Sequence, residues 1–301
     1  MRVNLICGFL GSGKTTLVRR ILRERAGRER MAVIVNEFGE VGIDGEVLRG
    51  HSVDMIEISS GCLCCTLRGS LISAVEELRD KVGAERVVVE STGVAQPGEL
   101  VETLGDPVLR GTVTLGPIVT VVDVAKFPAF RKVLGPFYTA QVERADVLLL
   151  NKTDLSGPER LATVRREVAA LNPRATLVAT ERCEVDLGLI MDAVGGNAEP
   201  SALEQGLAAP APAASFVSLV VGVPFDAERA KVERFFAALS VNVIRAKGFM
   251  NIDGEPTLVQ FAAGQLEITP AAVPRAFNMV FIGHDLNEPA LRAGIAETAH
   301  G

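Results

Sequence analysis

The chain has 301 residues, of which 48% are hydrophobic and 23% are charged, with a formal net charge of −6. At about 100–200 residues per domain, this length and apolar content predict a globular protein of two domains. The negative charge argues against a nucleic-acid partner recognised through a general basic field, and no apolar run approaches the roughly 20 residues that cross a bilayer, so we expect a cytoplasmic protein without a membrane partner.

A phosphate-binding loop is predicted near the start of the chain. Residues 8–16 read GFLGSGKTT and fit the pattern G-x-x-x-x-G-K-[ST], between an apolar strand at 3–7 and a helix at 14–25. Glycine is needed because backbone N–H groups must close around phosphate oxygens. We expect Lys14 to reach the outer phosphates and Thr15 to offer its hydroxyl to Mg²⁺. The predicted nucleotide contacts are Gly8, Gly11, Ser12, Gly13, Lys14, Thr15 and Thr16.

Three of the five cysteines crowd into four neighbouring positions farther along the chain. A second apolar strand at 31–35 runs into an acidic, glycine-rich loop that includes Glu37, and a third strand at 53–58 ends just before the cysteines. The carboxylates of the loop fit either an ordinary solvated turn or a segment that senses nucleotide and metal. The cysteines occupy a strand-to-helix turn and are Cys62, Cys64 and Cys65. The other two cysteines, Cys7 and Cys183, are isolated, and each is expected to be a buried small hydrophobe rather than a metal ligand.

The spacing of these cysteines favours a metal site over a disulfide framework in a reducing compartment. Thiolates prefer soft or borderline ions such as Zn²⁺, Cu(I) or Co²⁺, and a helix N-terminus assists their deprotonation. Three ligands leave one tetrahedral position open, which favours transfer of the metal over scaffolding. Glu37 or His51 is the candidate for the fourth position, and a redox cluster is the alternative interpretation.

A second metal element is predicted where the next strand ends. The β-branched run at 86–89 leads into Glu90, and Gly93 follows shortly after. Downstream of a phosphate loop, Glu90 would reach Mg²⁺ through water, and the N–H of Gly93 would lie near the γ-phosphate and move when that phosphate leaves. A strand end with a solvated glutamate is the alternative. The candidate catalytic residues are Lys14, Thr15, Glu90 and Gly93.

A guanine-reading motif follows the strand at 146–150. Residues 151–154 read NKTD, and the Asp154 carboxylate can accept both the ring N1–H and the exocyclic amine of guanine, which adenine does not offer. Lys152 is expected to pack along the base, and Asn151 to tie this loop back to the phosphate loop. Thr180 is a weaker candidate for another base contact.

The alternation of apolar strands and helices predicts an α/β domain over residues 1–196, with a mostly parallel sheet covered by helices on both faces. Residues 197–214 are rich in Ala, Pro and Gly and indicate a linker. Residues 215–301 predict a small α+β domain in the order β-α-β-β-β-β-α. Within its second strand, residues 245–248 fit a solvated edge with a bulge as well as they fit a functional segment.

These motifs together resemble the CobW-like family of metallochaperone GTPases, relatives of the urease and hydrogenase nickel-insertion GTPases. The resemblance rests on GFLGSGKTT, NEFGEVGID, GCLCC and ESTG, which occur in that order and begin at residues 8, 36, 61 and 90. Residues 245–248 and 281–283 match pieces of the C-terminal domain of that family. The chain lacks a histidine-rich segment, since its three histidines are scattered, and it has no tryptophan.

The resemblance implies a GTPase domain that binds GTP or GDP with Mg²⁺, cysteines that hold Zn²⁺ or a similar transition metal, and delivery of that metal to a client metalloenzyme or apo-protein. The resemblance leaves open whether the chain forms a homodimer. We expect slow intrinsic hydrolysis, because no glutamine or arginine can be assigned to the transition state. The alternatives are a GTPase that gates assembly of a metal- or corrinoid-dependent enzyme without carrying the metal, a small-molecule kinase, and a binding module with a degenerate nucleotide site.

Overall fold

The computed structural model describes residues 1–25, 28–37, 54–59, 65–93, 95–192, 217–240, 242–262, 264–271, 277–283 and 285–300. These residues form two compact units, one that ends at 192 and one that begins at 217. The predicted linker lies between them, outside the described residues, so its boundaries stay a prediction. Within the described ranges, no helix is long and apolar enough to cross a membrane.

The first unit contains a seven-stranded sheet in which every pair of neighbouring strands is parallel. In chain order the strands are β1 (Arg2–Cys7), β2 (Met31–Glu37), β3 (Asp54–Ser59), β4 (Arg86–Glu90), β5 (Thr114–Asp123), β6 (Val147–Asn151) and β7 (Thr176–Ala179). Their order across the sheet is β3-β2-β4-β1-β5-β6-β7. The carboxyl ends of all seven strands therefore reach the same edge of the sheet.

Helices cover both faces of this sheet, as the alternating pattern predicts. The helices of the unit are α1 (Lys14–Arg25), α2 (Cys65–Glu77), α3 (Pro97–Leu104), α4 (Phe127–Leu134), α5 (Pro136–Glu143), α6 (Pro158–Leu171) and α7 (Leu187–Met191). Helices α1 and α7 pack with Ile6 and Val88 on one face, and α2 and α3 pack with Leu5 and Val89 on the other. Because both faces are buried, the strands are continuous apolar runs.

Two helices that the sequence pattern does not predict, α4 and α5, fill the connection between β5 and β6. Each has only eight residues and a proline in its first turn, and Gly135 joins them with a φ of 51°. The aromatic rings of Phe127, Phe130 and Tyr138 are buried between this helix pair and Phe9 of the phosphate loop, with ring centroids 4.5–5.6 Å apart. Such short helices carry too little periodicity to be read from sequence.

The second unit is an antiparallel sheet of five strands, as the predicted order of elements implies. The elements are β8 (Val217–Gly222), α8 (Arg229–Ala237), β9 (Val243–Ile252), β10 (Glu255–Ala262), β11 (Gln265–Pro270), β12 (Asn278–Gly283) and α9 (Glu288–Ala296). The order across the sheet is β11-β10-β9-β12-β8. Its core includes Phe236 and Ile295 from the helices and Met250 and Phe281 from the strands.

Of the two interpretations of residues 245–248, a position at the edge of the sheet is wrong. These residues lie in β9, which is the central strand and pairs with β10 on one side and β12 on the other. At Gly248 an added Cβ would lie 2.0 Å from the carbonyl oxygen of Asn278, so the glycine permits close packing against β12. Position in the sheet depends on distant strands, which explains why the local pattern did not reveal it.

A buried arginine ties together the edge of the first sheet at which the strands begin. The Arg86 guanidinium, whose side chain is only 7% exposed, donates to Asn4 Oδ1 at 2.9 Å and to the carbonyl of Met191 at 2.7 Å. It also pairs with Glu29 at 2.8 Å and with Asp192 at 3.1 Å. These bonds hold the end of α7 against β1 and β4.

The substitution Arg86→Met should lower the free energy of unfolding of the first unit by about 3 kcal/mol, because it leaves buried acceptors and a partly buried carboxylate without their cation. Urea denaturation of the whole chain measures the change. The control is Arg131→Met, which breaks the more exposed pair with Glu167 at 2.6 Å and should cost less than about 1 kcal/mol. Equal losses in the two variants would contradict this assignment.

Candidate functional site

The predicted functional segments come together where the strands of the first sheet end. Glu90 closes β4 and lies opposite Ile6 of β1 and Val35 of β2 in the parallel register. On the other side of β1, Asp123 at the end of β5 lies opposite Asn151 at the end of β6. The phosphate loop follows β1, which lies between β4 and β5 in the sheet. The strand order therefore places this loop between Glu90 and Asp123, at the centre of the site.

The phosphate loop has the backbone that its glycines predict. Gly8, Gly11 and Gly13 have φ values of 133°, 71° and 118°, which other residues rarely adopt. An added Cβ would lie 2.3 Å from the carbonyl oxygen of Val121 at Gly8, and 2.5 Å from Nδ2 of Asn151 at Gly13. The loop then leads directly into α1, whose N-terminal N–H groups and dipole favour an anion.

Two polar side chains of this loop are buried where an anion would be bound. The hydroxyl of Ser12 is buried and has no hydrogen-bond partner among the described residues. Lys14 is 7% exposed, and its ammonium group donates to the carbonyl of Phe9 at 3.2 Å. A phosphate oxygen would accept from such a hydroxyl and pair with such a cation. The loop therefore fits a phosphate group.

The two predicted Mg²⁺ residues are in direct contact. Thr15 at the start of α1 donates its hydroxyl to Oε1 of Glu90 at 2.7 Å, and Glu90 is 4% exposed. A hydroxyl and a carboxylate oxygen are hard ligands of the kind that Mg²⁺ prefers, directly or through water. The residues present thus fit a magnesium ion beside the phosphate loop.

Gly93 lies against the phosphate loop, as its predicted role requires. An added Cβ would lie 2.3 Å from Cδ2 of Leu10 and 2.7 Å from its backbone nitrogen. On its other side, the carbonyl of Gly93 accepts a hydrogen bond from Nε2 of Gln141 at 3.2 Å. Gln141 belongs to α5, and the sequence analysis did not identify it.

Asn151 forms the predicted tie between the guanine-reading motif and the phosphate loop. Its Nδ2 donates to the carbonyl of Ser12 at 2.8 Å. Its Oδ1 accepts from the hydroxyl of Thr180 at 3.1 Å and from the backbone N–H of Cys183 at 2.9 Å. Asn151 is 2% exposed, and its side chain joins the loop after β6 to the phosphate loop and to residues 180–183.

Lys152 is held by an ion pair, whereas Asp154 is exposed to solvent. Lys152 has a left-handed φ of 62°, and its ammonium group pairs with Oδ2 of Asp123 at 2.9 Å. The second oxygen of Asp123 accepts from the backbone N–H of Lys126 at 3.1 Å, so this carboxylate both caps a turn and orients Lys152. Asp154 is exposed, as a carboxylate that reads a bound base has to be. The predicted base contacts themselves stay a prediction.

Cys183 has a role that the sequence analysis missed. It was predicted to be a buried small hydrophobe, and it is fully buried, but its thiol also donates to the carbonyl of Gly13 at 3.4 Å. Its own carbonyl accepts from Arg20 at 2.8 Å. Burial raises the pKa of the Cys183 thiol to about 12, although Lys152 and Arg20 oppose the shift. This thiol is therefore an uncharged packing and hydrogen-bonding group and a poor metal ligand.

Cys7, at the end of β1, is the other isolated cysteine and is also buried. Burial raises the pKa of its thiol to about 11, while a hydrogen bond with Ser91 and the charge of Lys14 act in the opposite direction. The prediction that Cys7 is a buried small hydrophobe is confirmed by its complete burial.

The predicted transition-metal ligands lie mostly outside the described residues. Cys62, Cys64 and His51 are not among them, and of Cys65 and Glu37 only the backbone position is described, at the start of α2 and the end of β2. Within the described part of the chain, no three His, Cys, Asp or Glu side chains form a group suited to a metal ion. The cysteine site therefore stays a prediction.

Comparison with known proteins identifies the family of the chain. The CobW/HypB/UreG nucleotide-binding domain matches residues 2–179, which include the phosphate loop, Glu90, Gly93 and the guanine-reading motif. The chain belongs to this family. The C-terminal domain of the cobalamin synthesis protein CobW matches residues 215–299, which include the second unit. The resemblance drawn from the motifs is thereby confirmed.

Two curated relatives match nearly the whole chain, and a third matches about two thirds of it. A protein named zinc chaperone CobW from a Sinorhizobium species is 30% identical, and the match covers 97% of this chain and 95% of that protein. Zinc chaperone YjiA from Escherichia coli K12 is 32% identical, with 98% and 97% covered. Zinc-regulated GTPase metalloprotein activator 1 from Schizosaccharomyces pombe is 37% identical over 67% of this chain and 51% of its own length.

Proposed function

We propose that this member of the CobW/HypB/UreG family is a GTP-binding and GTP-hydrolysing metallochaperone, which couples its nucleotide state to the binding and delivery of a transition metal. The observation that carries the GTPase part of the proposal is the 2.7 Å hydrogen bond between Thr15 and Glu90. It joins the phosphate loop to the end of β4, just before Gly93. A nucleoside triphosphatase needs these two segments side by side around the outer phosphates of its nucleotide.

The chain's own groups suit the triphosphate of a nucleotide. The glycine-rich backbone and the buried Ser12 hydroxyl would bind phosphate oxygens, and Lys14 would neutralise part of their charge. Thr15 and Glu90 would hold Mg²⁺, which when bound neutralises charge on the outer phosphate oxygens. Gly93 lies against the phosphate loop at Leu10, close enough for its turn to respond to the presence of the last phosphate.

Guanine is the base that the loop after β6 fits. Asn151 fixes this loop to the phosphate loop, and the exposed Asp154 carboxylate presents two acceptor oxygens. Guanine offers two adjacent donors at its N1 and exocyclic amine, and adenine offers an acceptor at the equivalent ring position. The name of the S. pombe relative, a zinc-regulated GTPase, supports the same base.

The metal is assigned to the cysteine motif, with Zn²⁺ as the first expectation and Co²⁺ as the second. Cys62, Cys64 and Cys65 would supply three thiolates, and Glu37 would supply a fourth ligand. The names of the CobW and YjiA relatives, both zinc chaperones, support zinc as the cargo. A client protein that receives the metal is the partner, as the name of the metalloprotein activator suggests.

The strand order supports coupling between the two sites. The cysteines follow β3, Glu37 ends β2 opposite Ser59, and β2 neighbours β4, which carries Glu90. A change in the turn after β4 can therefore reach the cysteine motif after β3 through a single intervening strand, β2.

We expect slow intrinsic GTP hydrolysis that the metal, the client or a second copy of the chain accelerates.

Replacement of Asp154 by asparagine tests whether the protein selects guanine as the base of its nucleotide. Asp154→Asn should weaken GTP binding at least about tenfold, because an amide oxygen replaces a charged acceptor and the amide NH₂ faces a guanine donor. It should strengthen xanthosine triphosphate binding, because xanthine has a carbonyl where guanine has the amine. Titration calorimetry with both nucleotides and with ATP measures the change. Equal GTP and ATP affinities in the wild type would instead favour a small-molecule kinase.

Replacement of Cys64 by serine tests the metal site. Cys64→Ser should abolish tight Zn²⁺ and Co²⁺ binding to the nucleotide-free protein, because a neutral hydroxyl is a poor ligand for these ions. The matched control is Cys183→Ser, which removes a thiol outside the motif and should leave the metal affinity unchanged. Calorimetry with a competing chelator measures the affinities. Unchanged binding in Cys64→Ser would favour a GTPase that gates enzyme assembly without carrying metal.

A further inference from the structure

The helix α5 carries a buried glutamine that reaches the Gly93 turn. Gln141 is 1% exposed, and its Nε2 donates to the carbonyl of Gly93 at 3.2 Å and to the carbonyl of Ala95 at 3.4 Å. Its own backbone carbonyl accepts from the hydroxyl of Thr120 on β5 at 2.9 Å. Gln141 is thus held to the sheet on one side and holds the turn after Glu90 on the other.

The Gly93 turn lies between this glutamine and the phosphate loop. An added Cβ at Gly93 would overlap Leu10, so the turn has no free space on that side. Any movement of Gly93 toward or away from the phosphate must therefore change its bonds with Gln141. Side-chain and backbone groups packed this closely move between discrete arrangements rather than by gradual adjustment.

The oxygen of the same carboxamide allows Gln141 a second set of hydrogen bonds. Oε1 of Gln141 is buried and has no hydrogen-bond partner among the described residues. A buried acceptor without a partner is unfavourable, and a backbone N–H of the turn would satisfy it if the turn rearranged. One carboxamide can therefore stabilise two arrangements of the turn, by donating in one and accepting in the other.

The helix pair is also connected to the phosphate loop itself. Phe9 of the loop packs against Phe130 of α4 at 4.5 Å and against Tyr138 of α5 at 5.5 Å between ring centroids. A further bond runs from Nε2 of Gln96 to the carbonyl of Phe137 at 3.3 Å. Helix α5 thus contacts both segments whose relative position decides whether Gly93 can reach a bound γ-phosphate.

We propose that Gln141 is a positioning residue for GTP hydrolysis, which sets the orientation of the Gly93 turn from helix α5. This inference rests on the proposed GTPase function and adds a residue that the phosphate-loop, Mg²⁺ and guanine motifs do not contain. Gln141 would act through its hydrogen bond to Gly93 rather than through a contact with the nucleotide. Its loss should slow the hydrolytic step and leave nucleotide binding in place.

The test compares two buried side-chain amides that both hold helix α5, Gln141 from within it and Asn172 from the end of α6. Gln141→Met keeps the length of the side chain and removes its hydrogen bonds to the turn. The control is Asn172→Leu, since Asn172 is 2% exposed and its Nδ2 donates to the carbonyls of Val142, Glu143 and Ala145 at 2.8, 3.1 and 2.8 Å. Both variants lose a buried amide that holds α5, and only Gln141→Met loses contact with Gly93.

Single-turnover GTP hydrolysis with Mg²⁺, GDP affinity and melting temperature are measured for the wild type and both variants. Gln141→Met should hydrolyse GTP roughly tenfold more slowly with GDP affinity within about twofold of wild type, whereas Asn172→Leu should lower the melting temperature and keep the rate. If Gln141→Met does not fold, Gln141→Asn, which keeps the amide but is too short to reach the turn, should show the same slow hydrolysis.

Three outcomes would count against the inference. A wild-type rate in Gln141→Met, or equally slow hydrolysis in Asn172→Leu, would overturn the positioning role and leave the proposed GTPase function intact. Absence of hydrolysis by the wild type, with each candidate metal tested, would contradict the proposed function and the role of Gln141 with it.

Discussion

The parallel register of the first sheet is the constraint on which the candidate site depends. Because every neighbouring pair of strands runs in the same direction, all the strand ends that carry polar residues meet at one edge. The register places Glu90 opposite Ile6 and Asn151 opposite Asp123, on either side of the phosphate loop. Short hydrogen bonds then join segments far apart in sequence, such as Thr15 with Glu90 at 2.7 Å. A strand in the opposite direction would remove its residues from this edge.

The fold also leaves the backbone of the nucleotide site little space for small displacements. Gly8 and Gly13 each lie so close to a neighbour that an added Cβ would overlap Val121 or Asn151, and Gly93 lies equally close to Leu10. The turn after Glu90 is enclosed by the phosphate loop and by Gln141. Such packing favours two discrete arrangements over a continuum, which is what a nucleotide-driven switch requires.

The features that could be predicted from the sequence are those that depend only on residues close together in the chain. The glycine-rich loop, the strand ends at Glu90 and Asn151, and the order of elements in the second unit all followed from short motifs and apolar runs. Gln141 and Cys183 were missed because their roles depend on a spatial approach to Gly93 and Gly13 that no spacing along the chain reveals. The central position of β9 was missed for the same reason, since strand order is set by long-range pairing. The left-handed backbone at Cys183, with a φ of 58°, is likewise set by its hydrogen bonds to Asn151 and Arg20 rather than by residue type.

The central claim is that the nucleotide and the metal influence each other's binding. The direct measurement is a complete thermodynamic cycle: Zn²⁺ affinity without nucleotide, with GDP and with a non-hydrolysable GTP analogue, together with the affinity for each nucleotide with and without Zn²⁺. We expect Zn²⁺ affinity to differ between the GTP-analogue and GDP states, and nucleotide affinity to change by the same factor when Zn²⁺ binds. Tight Zn²⁺ binding that is identical in all three nucleotide states would contradict the coupling.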